Sequence, residues 1–145
     1  MNLSDIVRKG ARILPDHEAV VFGDRRFTYQ DLETTVTRVA SRLNEMGIVP
    51  GNRVALYCEN RPEWIMVYYG IIRAGAVVVC VSAAYKGSEL SHLLEDSDPG
   101  CVVTSESLSG QFVGTEGAFP LDKVLVIERD PVLERLCEEG NAPSP

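Results

Sequence analysis

The sequence has no surplus of positive charge: 14 Lys and Arg stand against 21 Asp and Glu, a formal charge of −7 over 145 residues. A protein that tracks phosphates along a nucleic acid leaves a basic stripe, so this balance argues against that class and mainly favours solubility. Cysteine is sparse and poorly placed for metal or redox work. Cys58, Cys80, Cys101 and Cys137 stand far apart with no CxxC pair, which leaves zinc and thioredoxin-like chemistry without support. Three of the four fall inside expected strands and read as buried small hydrophobes. The two histidines, His17 and His92, have no partner motif around them and are assigned no catalytic role.

Phosphate-gripping sequences are missing too. Dinucleotide binding needs GxGxxG in the first strand-to-helix turn, where backbone must approach a pyrophosphate. That turn reads CENRPEW, without glycine, and Arg61 and Pro62 obstruct the approach. Gly110, Gly114 and Gly117 are wrongly spaced, KGS at Lys86 to Ser88 is no GxxxxGK[ST] loop, and neither HExxH nor GxSxG occurs. The opening MNLSDIVRKGARILPD lacks the apolar run of a secretory signal, so a cytoplasmic protein is expected. It reads instead as a short amphipathic helix through Leu3, Ile6, Val7, Ala11 and Leu14.

One long apolar run is present, WIMVYYGIIRAGAVVVCVSAA from Trp64 to Ala84, with Arg73 its single charge. As a membrane span it is marginal: its Ile, Val and Met residues contribute roughly −0.3 to −0.6 kcal/mol each, and a central Arg costs about +2.5 to +3.5. Local grammar favours two soluble elements. Asn60 to Glu63 look like a helix opening, with Pro and an acid in the first turn; Arg73 and Gly75 look like its close. AVVVCV beyond it is β-branched and short, which fits a buried strand.

The remaining elements follow. HEAVVFGDRRFTY reads as a hairpin turning at Gly23 and Asp24. Thr28 opens a helix, with Asp31 three positions on as a carboxylate capping box, and Leu32, Val36, Val39, Ala40, Leu43 and Met46 form its apolar face up to Gly47. From Arg53 strands and helices alternate: RVALYC, PEWIMVYYGIIRA, AVVVCV, SELSHLLED, CVVT and KVLVIE. That order predicts an α/β fold, a doubly wound and mainly parallel sheet with helices on both faces, preceded by an N-terminal helix and hairpin. Trp64, Ile65, Val67, Tyr68, Ile71 and Ile72 surround much of their helix, so it should be a central covering one, with Tyr68 and Tyr69 core aromatics. SLSGQFVGTEGAFP reads as a loop with one short helical turn, and EEGNAPSP as a linker. Arg61 and Glu63 are read as charges complementing a helix dipole, and ERD at 128–130, with Glu138 and Glu139, as solvated surface.

The stretch from about Ala19 to Thr104 resembles the N-terminal part of AMP-forming acyl-CoA synthetases, within the adenylate-forming superfamily. The marks are TYQDL at Thr28 to Leu32, GIVPGNRV at Gly47 to Val54, ENRPEW at Glu59 to Trp64, AGAVVV at Ala74 to Val79, and SAAYKGSEL at Ser82 to Leu90. The resemblance implies residues 1–140 as an incomplete N-terminal subdomain, with 141–145 a linker-like tail. Complete members join a carboxylate, ATP and CoA, with magnesium, to give acyl-CoA, AMP and pyrophosphate; their phosphate loop and catalytic residues lie downstream. The implied function is therefore a scaffold with no catalytic residue and no bound cofactor of its own. In related ligases the loop after the second strand can lie near the CoA entrance, which implies Ser82, Tyr85 and Lys86 as CoA-proximal. Read without the family, Lys86 is simply a solvated lysine before a helix capped by Ser88. Expected partners are the downstream part of the enzyme, or a second copy meeting an exposed apolar face, with no nucleic acid and no membrane span. A non-enzymatic assembly module is the alternative, and an autonomous nucleotide-binding domain a more remote one.

Overall fold

The computed structural model describes residues 2–112 and 119–137. Helix α1 (Asp5–Ile13) leads into a hairpin, β1 (Glu18–Phe22) and β2 (Arg25–Thr28). Then follow α2 (Tyr29–Glu45), β3 (Arg53–Tyr57), α3 (Pro62–Arg73), β4 (Val77–Val81), α4 (Gly87–Ser97), β5 (Cys101–Thr104), the short α5 (Glu106–Ser109) and β6 (Val124–Val126). The four later strands form one parallel sheet in the order β4-β3-β5-β6. This is the expected doubly wound architecture.

Alternation along β3 builds two cores. Val54 and Leu56 face α2 and α3 with Cys101, Val103 and Ile127, while Ala55 and Tyr57 face α4 with Val102, Leu90, Leu94 and Phe112. The α2 cap is the expected box: Thr28 Oγ1 accepts the Asp31 amide at 3.1 Å, and the Thr28 amide donates to Asp31 Oδ2 at 2.9 Å. Helices α2 and α3 meet at Gly70, where an added Cβ would collide with Val39.

The run from Trp64 to Ala84 divides as expected. Helix α3 ends at Arg73, Gly75 turns at φ +81°, and β4 starts at Val77. Arg73 is largely buried and donates to Glu33 at 2.7 and 2.9 Å and to the Ser4 carbonyl at 2.9 Å. The one charge of the run is thus a tie between α1, α2 and α3. Among the described residues no helix is long and apolar enough to cross a membrane.

Several expectations need correction. Only Val7 and Ala11 of the α1 stripe are buried, because α1 packs one narrow edge on α2; Leu3, Ile6 and Leu14 are exposed. Strand β4 lies at one edge of the sheet, and Val77 and Cys80 are exposed rather than buried. Helix α4 begins at Gly87 with Lys86 as its N-cap residue, and no side chain caps it; Ser88 already lies within the helix. Trp64, Ile65, Tyr68, Tyr69 and Ile72 are half-buried, so α3 covers the sheet with one side only. The expected strand KVLVIE shrinks to Val124–Val126 after a 3-10 turn at Leu121–Lys123. The helical turn after β5 is present as Glu106–Ser109 and a 3-10 turn at Gly110–Phe112. Gly114, Gly117, Glu138, Glu139 and the tail at 141–145 lie outside the described residues.

Candidate functional site

In an open parallel sheet, ligands bind outside the carboxyl ends of the strands, where successive strands depart in opposite directions. Here that place lies between β3 and β5: the chain leaves β3 through α3 to β4 on one side, then returns through α4 to β5 on the other. The residues just past β3 and β5 meet there. Glu59 Oε2 accepts the hydroxyls of Ser105 at 2.7 Å and Ser107 at 3.1 Å. Arg61 reaches Glu59 at 3.3 Å, Glu63 at 3.2 Å and Glu128 at 3.3 Å. Glu128 in turn accepts the amide of Glu106 at 3.1 Å.

The electrostatics are self-contained. Burial opposes the Arg61 charge, but Glu63 and Glu128 outweigh it and hold the guanidinium above its ordinary pKa. For Glu59 burial pushes the carboxyl up, yet hydrogen bonds from Ser105, its own backbone, Ser107 and Arg61 leave it lowered. Glu63, fully buried, also receives Arg25 from β2, whose guanidinium lies 5.1 Å from the Phe27 ring centre. The dipole reading of Arg61 and Glu63 therefore understates them: they are the hub of an ion-pair network. The solvated reading of 128–130 is likewise corrected, since Glu128 joins this hub and Asp130, 8% exposed, pairs with Arg42 at 2.9 Å.

Beside the hub, a cleft of about 350 Å³ opens between the ends of β3 and β4, lined by Cys58, Glu59, Asn60, Trp64, Cys80 and Ser82 among others. Trp64 stacks on Tyr68 with ring centres 5.2 Å apart. Burial, then the Glu59 charge, pushes the Cys58 thiol up to about 12, and burial raises Cys80 as well, so neither is a poised thiolate. Among the described residues no three His, Cys, Asp or Glu side chains converge to hold a metal ion.

The expected CoA-proximal residues are only partly brought together. Ser82 is exposed on the cleft, and its Oγ accepts the Ala84 amide at 3.2 Å. Tyr85 turns away, to a shallow groove along α4 with Glu89, His92 and Asp96. Lys86 is exposed at the start of α4. Glu59, Ser105 and Ser107 were given no role from sequence, and Glu128 was read as solvated surface. Their common signal is position, each one to three residues past the end of a parallel strand.

A doubly wound fold with its crevice at the β3 and β5 ends is shared by many nucleotide and acyl-transfer proteins. The AMP-binding enzyme family matches residues 7–145, and the chain belongs to that family. A medium/long-chain-fatty-acid–CoA/3-oxocholest-4-en-26-oate–CoA ligase of Mycobacterium tuberculosis is 37% identical over 130 residues, covering 90% of this chain and 24% of that protein. The N-terminal domain of FACL13 from Mycobacterium tuberculosis has a TM-score of 0.82 at 26% identity, over 100% of this chain and 38% of that one. The anthranilate CoA ligase AuaEII, solved in complex with anthranoyl-AMP, has a TM-score of 0.85 over 99% of this chain and 28% of its own; at 20% identity it shows the fold alone. The chain thus spans about a quarter of the length of such curated relatives and corresponds to the N-terminal part of adenylate-forming ligases.

Proposed function

We propose that this chain is the N-terminal scaffold of an AMP-forming acid–thiol ligase, and that by itself it does not form acyl-adenylates. The observation that carries this is the filled crevice between β3 and β5. Adenylation needs donors aimed at a triphosphate and cations on the departing pyrophosphate. In this crevice Arg61 is committed to three carboxylates, the Glu106 amide to Glu128, and the Ser105 and Ser107 hydroxyls to Glu59. In the complete ligase, ATP, magnesium and the acyl group fall to residues beyond this stretch. A pyrophosphate-release assay with ATP, magnesium and a panel of carboxylates tests the reading; acid-dependent turnover by the 145-residue chain overturns it.

On this reading the loop of Ser82, Tyr85 and Lys86 forms the thiol-acceptor side, with Tyr85 facing the α4 groove and Lys86 free to meet a phosphate of CoA. The exposure of Lys86, three residues along the chain from Ala83 of the cleft wall, supports this. In a longer ligase carrying this stretch, Lys86→Ala should raise the CoA requirement and leave adenylate formation unchanged. Equal loss in both half-reactions discredits it.

A second reading, an assembly module without enzymatic activity, is favoured by apolar exposure at the hairpin and outer strand. Val21, Phe22 and Val77 are 52%, 50% and 52% exposed, and the outer edge of β4 pairs with no described strand. Light scattering with a hydrophobic-dye titration separates the two: an assembly module forms a defined oligomer that hides dye sites, whereas a scaffold awaiting the rest of an enzyme binds dye in proportion to its bare surface. A cytoplasmic location fits either reading.

A further inference from the structure

We infer that Tyr57 is the positioning residue of the loop from Ser82 to Lys86, fixing its backbone from beneath. The inference rests on the reading of that loop as the thiol-acceptor side only for its functional meaning; the local claim stands on contacts alone. Tyr57 closes β3, is fully buried, and packs edge-on to Phe112 with ring centres 6.0 Å apart. Packing alone would be met by phenylalanine. The hydroxyl instead donates to the carbonyl of Tyr85, 28 residues on, at 2.5 Å. Its register partner on β5, Thr104, has a buried hydroxyl without a hydrogen-bond partner, yet the Tyr57 hydroxyl goes to the loop.

The loop is closed on itself as well. The Tyr85 amide donates to the Ser82 carbonyl at 3.1 Å, and the Ala84 amide to Ser82 Oγ at 3.2 Å. On the far side of Lys86, the Gly87 amide donates to Gln111 Oε1 at 3.3 Å, with Gly87 at φ +56°. Lys86 therefore stands between two fastened peptide groups, one held by β3 and one by the turn after α5. An exposed cation on such a backbone is presented from a fixed base, which lowers the ordering cost of any contact it makes. Burial raises the Tyr57 pKa, which keeps the phenol protonated as a donor at neutral pH.

Amide hydrogen exchange on the 145-residue chain tests this. Tyr57→Phe removes one oxygen and should accelerate exchange at Ala84, Tyr85 and Gly87 by about threefold to tenfold, the range set by the net worth of one hydrogen bond. Exchange at Val102 and Val103 should stay within about twofold. Unchanged loop exchange, or equal acceleration along the whole sheet, overturns the inference, the latter making Tyr57 an ordinary core residue. Gln111→Ala, at a half-buried position, should loosen Gly87, and protects the test should Tyr57→Phe fail to fold; an unmoved Gly87 counts against the clamp. In a longer ligase Tyr57→Phe should raise KM for the thiol acceptor with kcat of adenylation unchanged. A loosened loop with an unmoved KM leaves the clamp standing and overturns the thiol-side reading.

Discussion

Glu63, with no exposed surface in the first turn of α3, is held by Arg25 of the hairpin, 38 positions earlier in the chain. The guanidinium contributes Nη1 to both carboxylate oxygens, and Arg61 adds Nε at 3.2 Å. Removing one member of a buried pair leaves the others desolvated and uncompensated. Glu63→Gln should therefore cost about 2–4 kcal/mol, read as a lower urea midpoint with an unchanged slope. A midpoint equal to that of the parent chain would show that the pair is dispensable.

Gly70 is where α2 and α3 touch most closely. A methyl group there meets the Val39 side chain and approaches the Val36 carbonyl at 3.3 Å. Although alanine favours helix over glycine, overpacking should win, and Gly70→Ala should destabilise by about 1–3 kcal/mol. Pairing it with Val39→Ala should recover part of that loss, a coupling that a double-mutant cycle measures.

The hub sets an acid limit. Glu59 has a folded pKa below its ordinary value of about 4.3. Between the two values the unfolded chain binds more protons, so stability rises with pH there. The contribution is fully present above about pH 4.3 and is lost as pH falls through the folded pKa. Thermal unfolding between about pH 5 and pH 3 should show that slope, and Glu59→Gln should flatten it. An equal slope in the variant would assign acid sensitivity elsewhere.

Thiol modification should follow burial rather than sequence. Cys80 is exposed, whereas Cys58 and Cys101 are buried with thiols pushed up to about 12. Iodoacetamide at pH 8 should label Cys80 first, with Cys58 and Cys101 reacting only as the fold opens. Peptide mapping over time checks the order, and early labelling of Cys101 would contradict the burial of β5.

Thr104 should tolerate loss of its hydroxyl. Its Oγ1 is buried without a hydrogen-bond partner in the structure. Thr104→Val retains the shape and removes an unsatisfied group, so it should be neutral or stabilise by up to about 1 kcal/mol. A clear destabilisation in calorimetry would reveal that the hydroxyl has a partner after all.

What could be read from residue order was local periodicity and punctuation. Thr28 with Asp31 marked the start of α2, Gly75 split α3 from β4, and the near-continuous apolar run of RVALYC marked a strand covered on both faces, because caps, positive φ and strand composition act over a few residues. What could not be read was set by partners distant in sequence. That Cys80 is exposed and that β4 lies at one edge of the sheet are not legible in VVVCV. The burial of Asp130 depends on Arg42, 88 positions away, and the filling of the crevice depends on Glu128 reaching Arg61, 67 away. A charged residue has the same local appearance whether it meets water or a guanidinium. The loop from Ser82 followed from the strand AVVVCV before it and the helix SELSHLLED after it, but that Tyr57 fastens it was invisible, since tyrosine on a strand reads as plain core.

Those two distant pairs also bear on how the polypeptide is made. Arg42 and Arg61 leave the ribosome long before Asp130 and Glu128 do. Until these acids emerge, Arg42 lacks its buried partner and Arg61 one of its three carboxylates, and the first core lacks Leu133 and Leu136 from the turn that follows. Vectorial synthesis therefore leaves the first core incomplete until about 130 residues are free of the exit tunnel.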